Sequence, residues 1–438
     1  MPDTTDLEAV LADVFRREWS RLVSTAVRVL GDLDAAEEVV QESLVAALDR
    51  WPFSGVPNNP GAWLTVTTRN RALNRVRSDT RARRRETLAA SASILDGEEN
   101  DDVADPFDPA DPAAVPDDRL GLILTCCHPV LSQEAQVALT LRLIAGLTTP
   151  EIARAFVVPE ATVAQRIVRA KRLIRERRIP YLAAGRDELA DRLPSVLDII
   201  YLIFNEGYLA SAGERLIRGE LCDEGRRLAE LLAELVPEEP EVHALVALLA
   251  FQASRRDTRV DGAGELVPLE EQDRAQWDRA LIAAGVTSFT AALARGGRGP
   301  FTWQAAIAGT HASAASWEAT DWPAILHYYD ELRTVMPSPV VELNRAVALC
   351  LTEGPEAALA TIDRLALSSP VSPGWGAYHP LVAARADFLR RLHRDAEAAE
   401  EYRRAAALTA NDVEARFLER RADECTTRAS RREEQDHG

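Results

Sequence analysis

The sequence has 438 residues, which is too long for one compact core and predicts two or three domains. Hydrophobic residues make up 47% of it, an ordinary share that excludes wholesale disorder. The net charge of −18 argues against a uniformly nucleic-acid-binding protein, yet arginines are concentrated in residues 69–85 and 166–178, with an acidic stretch between them. This distribution predicts two separate DNA contacts.

The sequence also indicates a compartment. It contains no apolar run near the roughly 20 residues that span a bilayer, and its first six residues lack the features of a secretory signal. The five cysteines include no C-x-x-C pair, which favours reduced thiols over a disulfide framework. We therefore expect a cytoplasmic protein.

Helical periodicity dominates, and we predict an all-α fold. Gly31 ends the first helix, and Asp32 or Asp34 caps the second, in which Leu48 belongs to the apolar stripe. The other side of the second helix is polar and acidic, with Asp34, Glu37, Glu38, Gln41 and Glu42. Such a face is usually only solvated, and alone it says little about function.

A loop that begins at Pro52 precedes a third helix, which we expect to start near Ala62. This helix combines an aromatic residue with arginines and asparagines: Trp63, Arg69, Asn70, Asn74 and Arg77. Such a set suits single-stranded DNA, because unstacked bases stack on rings and hydrogen-bond along their edges. The alternative is that Trp63 fills the core and the arginines are merely exposed.

Residues 88–118 are rich in Asp and Pro and predict a flexible linker, and residues 148–178 predict a helix-turn-helix. Thr148 or Thr149 caps a short helix that ends at Phe156. A longer helix follows, with basic residues on one face and Val163, Ile167, Ala170 and Ile174 on its buried face. Its first residues would reach base edges in the major groove and later ones phosphates. The candidates are Glu160, Thr162, Gln165, Arg166, Arg169, Lys171 and Arg172, the last two as phosphate contacts. The alternative is a solvated basic face.

From residue 181 onward the sequence predicts helix pairs. Similar blocks begin at Pro240, Pro339 and Pro380, and alanine-rich helices are predicted over 356–367 and 395–408. Small residues at regular positions let helices stack closely, so we predict a degenerate helical repeat.

Two short clusters admit more than one interpretation. Asn205, Glu206, Gly207 and Tyr208 form either a helix end capped by Gly207 or a contact with the N-terminal half of the chain. Cys126 and Cys127 are expected to be buried at a helix start, with thiol sensing as the alternative, because adjacent cysteines cannot easily share one metal ion. No catalytic motif is present, so we expect no enzyme activity, no metal and no cofactor.

Two sets of segments carry a family resemblance. Residues 34–43, 60–64 and 68–77 resemble region 2 of extracytoplasmic-function (ECF) sigma factors, and residues 147–153, 158–163 and 166–172 resemble their region 4. Family members usually end after region 4, whereas residues 201–211 are similar to the group with a C-terminal tetratricopeptide-like extension.

The resemblance implies a role for each segment. The acidic face would bind the β′ clamp helices of core RNA polymerase, residues 69–77 would meet the −10 strand, and the helix over 160–172 would read the −35 element beside the β flap. It further implies control by the fused extension, with a regulatory protein or ligand bound there.

The sequence thus predicts four segments: a region 2 domain over 1–87, a linker over 88–118, a region 4 domain over 119–180 and a TPR-like extension over 181–438. Two other classes of protein remain open. A helix-turn-helix regulator with a ligand-sensing domain would need no polymerase, and a scaffold would depend on the C-terminal half alone.

Overall fold

The computed structural model describes residues 4–90, 119–156, 158–179, 181, 186–210, 214–368 and 378–436. Over these residues the chain is helical, with one isolated β-bridge between Val260 and Leu266 and no longer strand, so the all-α prediction is confirmed. The chain divides into two compact units, Met1–Ile199 and Ile200–Gly438. No helix in the described ranges is both long and apolar enough to cross a bilayer.

The N-terminal unit begins with a bundle of three helices. These are α1 (Thr4–Leu30), α2 (Leu33–Ser54) and α3 (Pro60–Ala90). Gly31 ends α1 with φ 64°, and Asp32 caps α2 by accepting hydrogen bonds from the Asp34 and Ala35 amides, both at 2.9 Å. The bundle core includes Trp19 and Trp51, each almost fully buried.

Two predicted limits in this bundle are wrong. Pro52 does not begin a loop, because the buried Trp51 anchors a last turn that continues to Ser54. The third helix starts at Pro60 rather than near Ala62, since the Asn59 side chain accepts a hydrogen bond from the Ala62 amide at 3.0 Å and caps the first turn.

Four shorter helices complete the described N-terminal part before α8. They are α4 (Arg119–Cys126), α5 (Gln133–Leu143), α6 (Thr149–Phe156) and α7 (Glu160–Glu176). Thr148 and Glu151 form a capping box in front of α6, with the Thr148 amide 2.7 Å from Glu151 Oε2. The predicted apolar face of α7 is confirmed, since Val163, Ile167, Ala170 and Ile174 are all buried. Most of the predicted linker, residues 91–118, lies outside the described residues.

The paired cysteines lie at the end of a helix rather than at its start. Cys126 is the last residue of α4, because the apolar run that precedes it forms that helix. Both thiols are buried, as expected, and burial raises the pKa of Cys127 to about 12 and the pKa of Cys126 well above its usual value. Thiols held protonated in this way are poor nucleophiles.

Helix α8 (Arg186–Tyr208) leads into the C-terminal unit, whose described residues form ten more α-helices. These are α9 (Gly219–Leu235), α10 (Pro240–Ala253), α11 (Arg279–Ala294), α12 (Pro300–Ser313), α13 (Trp322–Val335), α14 (Pro339–Thr352), α15 (Pro355–Ser368), α16 (His379–Arg391), α17 (Asp395–Leu408) and α18 (Asp412–Asp436). From α12 to α18 each helix packs on its successor. The predicted blocks at Pro240, Pro339 and Pro380 open α10, α14 and α16, where proline lacks the amide that a first turn leaves unpaired.

The Asn411 side chain connects the first part of the C-terminal unit to its last helix. Asn411 is 1% exposed, and its amide nitrogen donates to the carbonyls of Ala210 and Arg215, both at 3.0 Å. Its Oδ1 accepts hydrogen bonds from the Val413 and Glu414 amides in the first turn of α18. The start of the last helix is thereby tied to a loop about 200 residues earlier in the chain.

Candidate functional site

The predicted acidic face of α2 is a mixed acidic and apolar surface. Glu38 and Glu42 are exposed and pair with Arg75 and Arg71 of α3, at 2.7 and 3.3 Å. Gln41 is exposed between them. Three apolar side chains are exposed on the same helix and were not predicted to be: Val45 at 55%, Leu48 at 45% and Phe53 at 89%. The assignment of Leu48 to the core was wrong, because the core-facing stripe of α2 ends in Ala47 and Trp51.

A buried ionic cluster joins α2 to the second group of helices. The Lys171 ammonium of α7 binds Asp34 Oδ1 at 2.7 Å and the Glu37 carboxylate. Arg142 of α5 approaches Glu37 from another direction, with its Nε 2.7 Å from Oε1. Lys171 and Glu37 are only 8% and 7% exposed. Two of the predicted polymerase contacts thus bind a predicted DNA contact, and this arrangement leaves Lys171 unavailable to a phosphate.

Exposed ion pairs surround this cluster. Arg175 Nε lies 3.0 Å from Asp32 Oδ2, and its terminal nitrogen lies 2.9 Å from Asp34 Oδ2. Partial burial would raise the pKa of Asp34, but the hydrogen bonds and charges of Lys171 and Arg175 outweigh that effect and hold the pKa below its usual value. The Asp34 carboxylate therefore stays ionised well into the acidic range.

An aromatic contact closes the other side of the same interface. Trp19 of α1 donates from its indole nitrogen to the Arg142 carbonyl at 3.0 Å. Gly146 follows α5 with φ 75°, and a Cβ built there would lie 3.1 Å from the Trp19 ring. Glycine at this position lets the turn after α5 approach the tryptophan closely.

The predicted −10 residues are spread along α3. Asn70, Asn74 and Arg77 are exposed at helical spacings of four and three, so they form one row, and Arg69 is half-buried beside it. Trp63 packs edge-to-face on Trp51, with ring centres 5.5 Å apart, and is only partly exposed. Trp63 therefore contributes to the bundle core while keeping part of its surface in solvent.

The predicted −35 residues mostly occupy the outer face of α7. Glu160, Gln165, Arg169 and Arg172 are exposed, Thr162 and Arg166 are half-buried, and Lys171 is the buried exception described above. Arg172 pairs only loosely with Glu176, one turn later, at 3.5 Å. The exposed polar residues lie opposite the buried stripe of this helix, and the exposed Val168 lies among them, at 65% exposure.

The cluster at 205–208 makes its described contacts inside the C-terminal unit. Glu206 binds Arg218, and the Arg218 amide donates to the Gly207 carbonyl at 2.7 Å. The Arg259 guanidinium lies 3.8 Å from the centre of the Tyr208 ring. Asn205 hydrogen-bonds with Tyr201. Gly207 is not a left-handed cap, because it lies inside α8 where α9 approaches closely.

Replacing Gly207 by Ala is expected to destabilise the C-terminal unit by about 1–3 kcal/mol. A Cβ at this position would lie 2.5 Å from the Cys222 amide nitrogen and 2.8 Å from Leu221 Cβ, so α9 must move away. Gly262→Ala is the matched control, since no atom lies within 4 Å of the Cβ built there. Amide hydrogen exchange of α8 and α9 in the two variants checks this, and equal protection in both would contradict it.

Three parts of the chain match family models. Residues 14–82 match sigma-70 region 2, residues 121–174 match sigma-70 region 4, and residues 192–293 match a family of unknown function, DUF6596. The first two matches cover the helices that form the acidic face of α2, the polar row of α3 and the outer face of α7.

Similar proteins extend these matches. The uncharacterized protein R00370 of Rhizobium meliloti is 41% identical over 397 residues, 91% of either chain. The probable ECF RNA polymerase sigma factor SigI of Mycobacterium tuberculosis is 32% identical over 166 residues, 38% of this chain and 54% of its own. The ECF RNA polymerase sigma factor SigK of Mycobacterium bovis is 27% identical over 172 residues, 38% of this chain and 85% of its own. The chain belongs to the ECF family of RNA polymerase sigma factors, and its C-terminal extension carries a DUF6596 segment.

Proposed function

We propose that this protein binds core RNA polymerase and directs initiation at promoters that it recognises through −10 and −35 elements. The observation that best supports this proposal is that the two sigma regions expose three separate surfaces suited to those three tasks: the acidic face of α2, the polar row of α3 and the outer face of α7. The proposed domains are residues 1–87, 88–118, 119–180 and 181–438.

The α2 surface is the proposed contact with the β′ clamp helices of polymerase. Glu38, Gln41 and Glu42 supply polar and negative groups, and Val45 and Phe53 lie exposed beside them. Exposed apolar side chains rimmed by charge are typical of protein–protein interfaces. Burial of the Phe53 ring would supply binding free energy, while the carboxylates would select a basic partner.

The row on α3 is the proposed contact with the unpaired −10 strand. Asn70 and Asn74 offer amides to base edges, and Arg69 and Arg77 offer guanidinium groups to phosphates or base faces. Strand opening on this surface needs no covalent chemistry, because binding to unstacked bases favours the melted state.

Helix α7 is the proposed reader of the −35 duplex. Its N-terminal residues Glu160 and Gln165 are exposed where a recognition helix contacts base edges, and Arg169 and Arg172 follow where phosphates lie. The remainder of region 4 would face the β flap.

The ionic cluster at Lys171 implies that polymerase binding changes the conformation of the two sigma regions. In the described arrangement α7 covers Glu37 of the surface that would bind polymerase, and its Lys171 also pairs with the exposed Asp34. Polymerase must therefore compete with Lys171, Arg142 and Arg175 for these carboxylates. We infer that the two sigma regions separate when the protein binds polymerase, and that residues 181–438 control this step.

Run-off transcription with purified core polymerase on a library of genomic promoter fragments tests the proposal. Full-length protein is expected to direct starts that share a two-element sequence, and residues 1–180 alone show whether the extension activates or restrains. Tight sequence-specific binding to DNA by the full chain without polymerase, together with no transcription start, would instead identify a conventional helix-turn-helix regulator.

Two exposed residues of α7 are expected to respond differently in this assay. Gln165→Ala should change the preferred base at one or two −35 positions, at a cost of about 1–3 kcal/mol for the preferred base. Arg172→Ala should weaken all promoters about equally and make binding less dependent on salt, because it removes a phosphate contact. If both variants weaken every promoter to the same degree, Gln165 does not read a base.

A further inference from the structure

The C-terminal unit encloses a cavity of about 400 Å³ bounded by α8, α10, α12, α13 and α14. This volume falls within the roughly 300–1,000 Å³ of small-molecule sites in proteins. Much of the wall is apolar, with Phe251, Trp277, Ile307 and Leu332 among its residues. The cavity is distant in sequence from every surface assigned above to polymerase or DNA, so the proposed function does not account for it.

Three polar atoms of the wall are buried and lack hydrogen-bond partners among the described residues. They are Gln252 Oε1, Trp277 Nε1 and His311 Nδ1. The Trp277 side chain is almost fully buried, at 2% exposure. A buried polar atom left unpaired costs about 1–3 kcal/mol, and few occur in a folded protein. These atoms have almost no accessible surface, so they lie inside the cavity wall and do not face its open space.

The cavity wall also carries one unpaired positive charge. Arg255 is the single charged residue in the wall, and no carboxylate of the described chain lies within ion-pair distance of its guanidinium. Its neighbour Arg256 is paired, with Asp223 at 2.9 Å and Asp257 at 3.1 Å. His311 is neutral at pH 7, because burial and the charges of Arg255 and Arg274 lower its pKa to about 3. The Arg255 guanidinium lies 5.5 Å from the centre of the Tyr208 ring, which carries no net charge to balance it. A half-buried guanidinium without a carboxylate partner favours an anion, and a planar carboxylate matches its geometry.

We propose that this cavity binds a small carboxylate that has an apolar body. The carboxylate pairs with Arg255, and the apolar body contacts Phe251 and Ile307. The proposal concerns binding alone, so it stands or falls independently of the role in transcription.

Isothermal titration of the full-length protein with phenyllactate, N-acetylphenylalanine and N-acetyltryptophan tests this site. At least one acid is expected to bind with a dissociation constant of about 10–100 μM, and its carboxamide about tenfold or more weakly. Arg255→Gln should weaken binding by a similar factor, whereas Arg256→Gln, which changes the paired neighbour, should leave it unchanged.

Three results would overturn the proposal: no acid binding below about 1 mM, carboxamides binding as tightly as acids, or equal binding by the Arg255→Gln and Arg256→Gln variants. The carboxamide comparison uses wild-type protein, so it decides the matter even if Arg255→Gln does not fold.

Discussion

A Lys171→Glu variant is expected to hold its two sigma regions apart and to bind core polymerase more tightly than the wild-type protein. The substitution places a third carboxylate against Asp34 and Glu37, where the ammonium now binds both. Disrupting a buried pair of this kind costs about 3–5 kcal/mol, and that cost is an upper limit on the gain in polymerase affinity. Glu37 keeps Arg142 as a partner, so the contact is weakened chiefly at α7.

Arg172→Glu is the matched control for this prediction. This variant also exchanges a basic residue of α7 for Glu, at the next position of the helix. Arg172, however, is exposed, and its pair among the described residues is with Glu176. Energy transfer between dyes on cysteines introduced at Ser78 and Val168 reports the separation, and the described native cysteines are all buried and will label poorly. Unchanged energy transfer in Lys171→Glu, or core binding no tighter than in Arg172→Glu, would show that the cluster does not restrain the two regions.

The second large effect is expected at Asn411. Asn411→Ala removes the cap of α18 and leaves the Ala210 and Arg215 carbonyls without their donor. A lost cap costs about 1 kcal/mol and the buried, unpaired Ala210 carbonyl about 1–3 kcal/mol, so we expect a loss of about 2–4 kcal/mol. Amide exchange of α16–α18 is the suitable measurement, because a chain of two units does not unfold in one transition.

Two further variants separate the contribution of the α18 cap from that of the hydrogen bonds to Ala210 and Arg215. Asp278→Ala removes only a cap, that of α11, and should cost about 1 kcal/mol. Asn411→Asp keeps one oxygen that accepts hydrogen bonds from the α18 amides, but its second oxygen replaces the nitrogen that donates to the two carbonyls. It should therefore destabilise the C-terminal unit at least as much as Asn411→Ala does. If Asn411→Asp behaves like wild-type protein, the bonds to Ala210 and Arg215 contribute nothing.

Local patterns in the sequence were sufficient for much of the N-terminal fold. The apolar stripe Val163, Ile167, Ala170 and Ile174 predicted the buried face of α7, because a helix repeats every 3.6 residues. The prediction that Thr148 or Thr149 caps the short helix placed the start of α6 within a residue. Both features depend on residues only a few positions apart.

The Lys171 contacts of the ionic cluster join residues more than 130 positions apart, and periodicity does not say what lies opposite a helix face. A signal was nevertheless present. Lys171 is four residues after Ile167 and three before Ile174, inside the apolar stripe, so it was placed on the wrong face when grouped with the phosphate contacts. Glu37 stands in the same relation to Leu33 and Val40. A charged residue in an apolar stripe needs a buried partner, and these two are partners of each other.

The cavity could not have been found from the sequence. Its walls come from helices between Tyr201 and Asn344, and the repeat pattern predicted stacked helices without saying which side chains meet inside them. Arg255 and Trp277 lie in the irregular connection between α10 and α11, where no periodicity applies.

The hydrogen bond between Asn411 and Ala210 cannot form until late in the synthesis of the chain. The ribosome releases the sigma regions first and must add about 200 residues after Ala210 before Asn411 emerges. At about 5–20 residues per second this takes about 10–40 s. Throughout that interval a nascent chain presents complete sigma regions beside an unfinished C-terminal unit, so any restraint that the finished unit exerts begins only when translation ends.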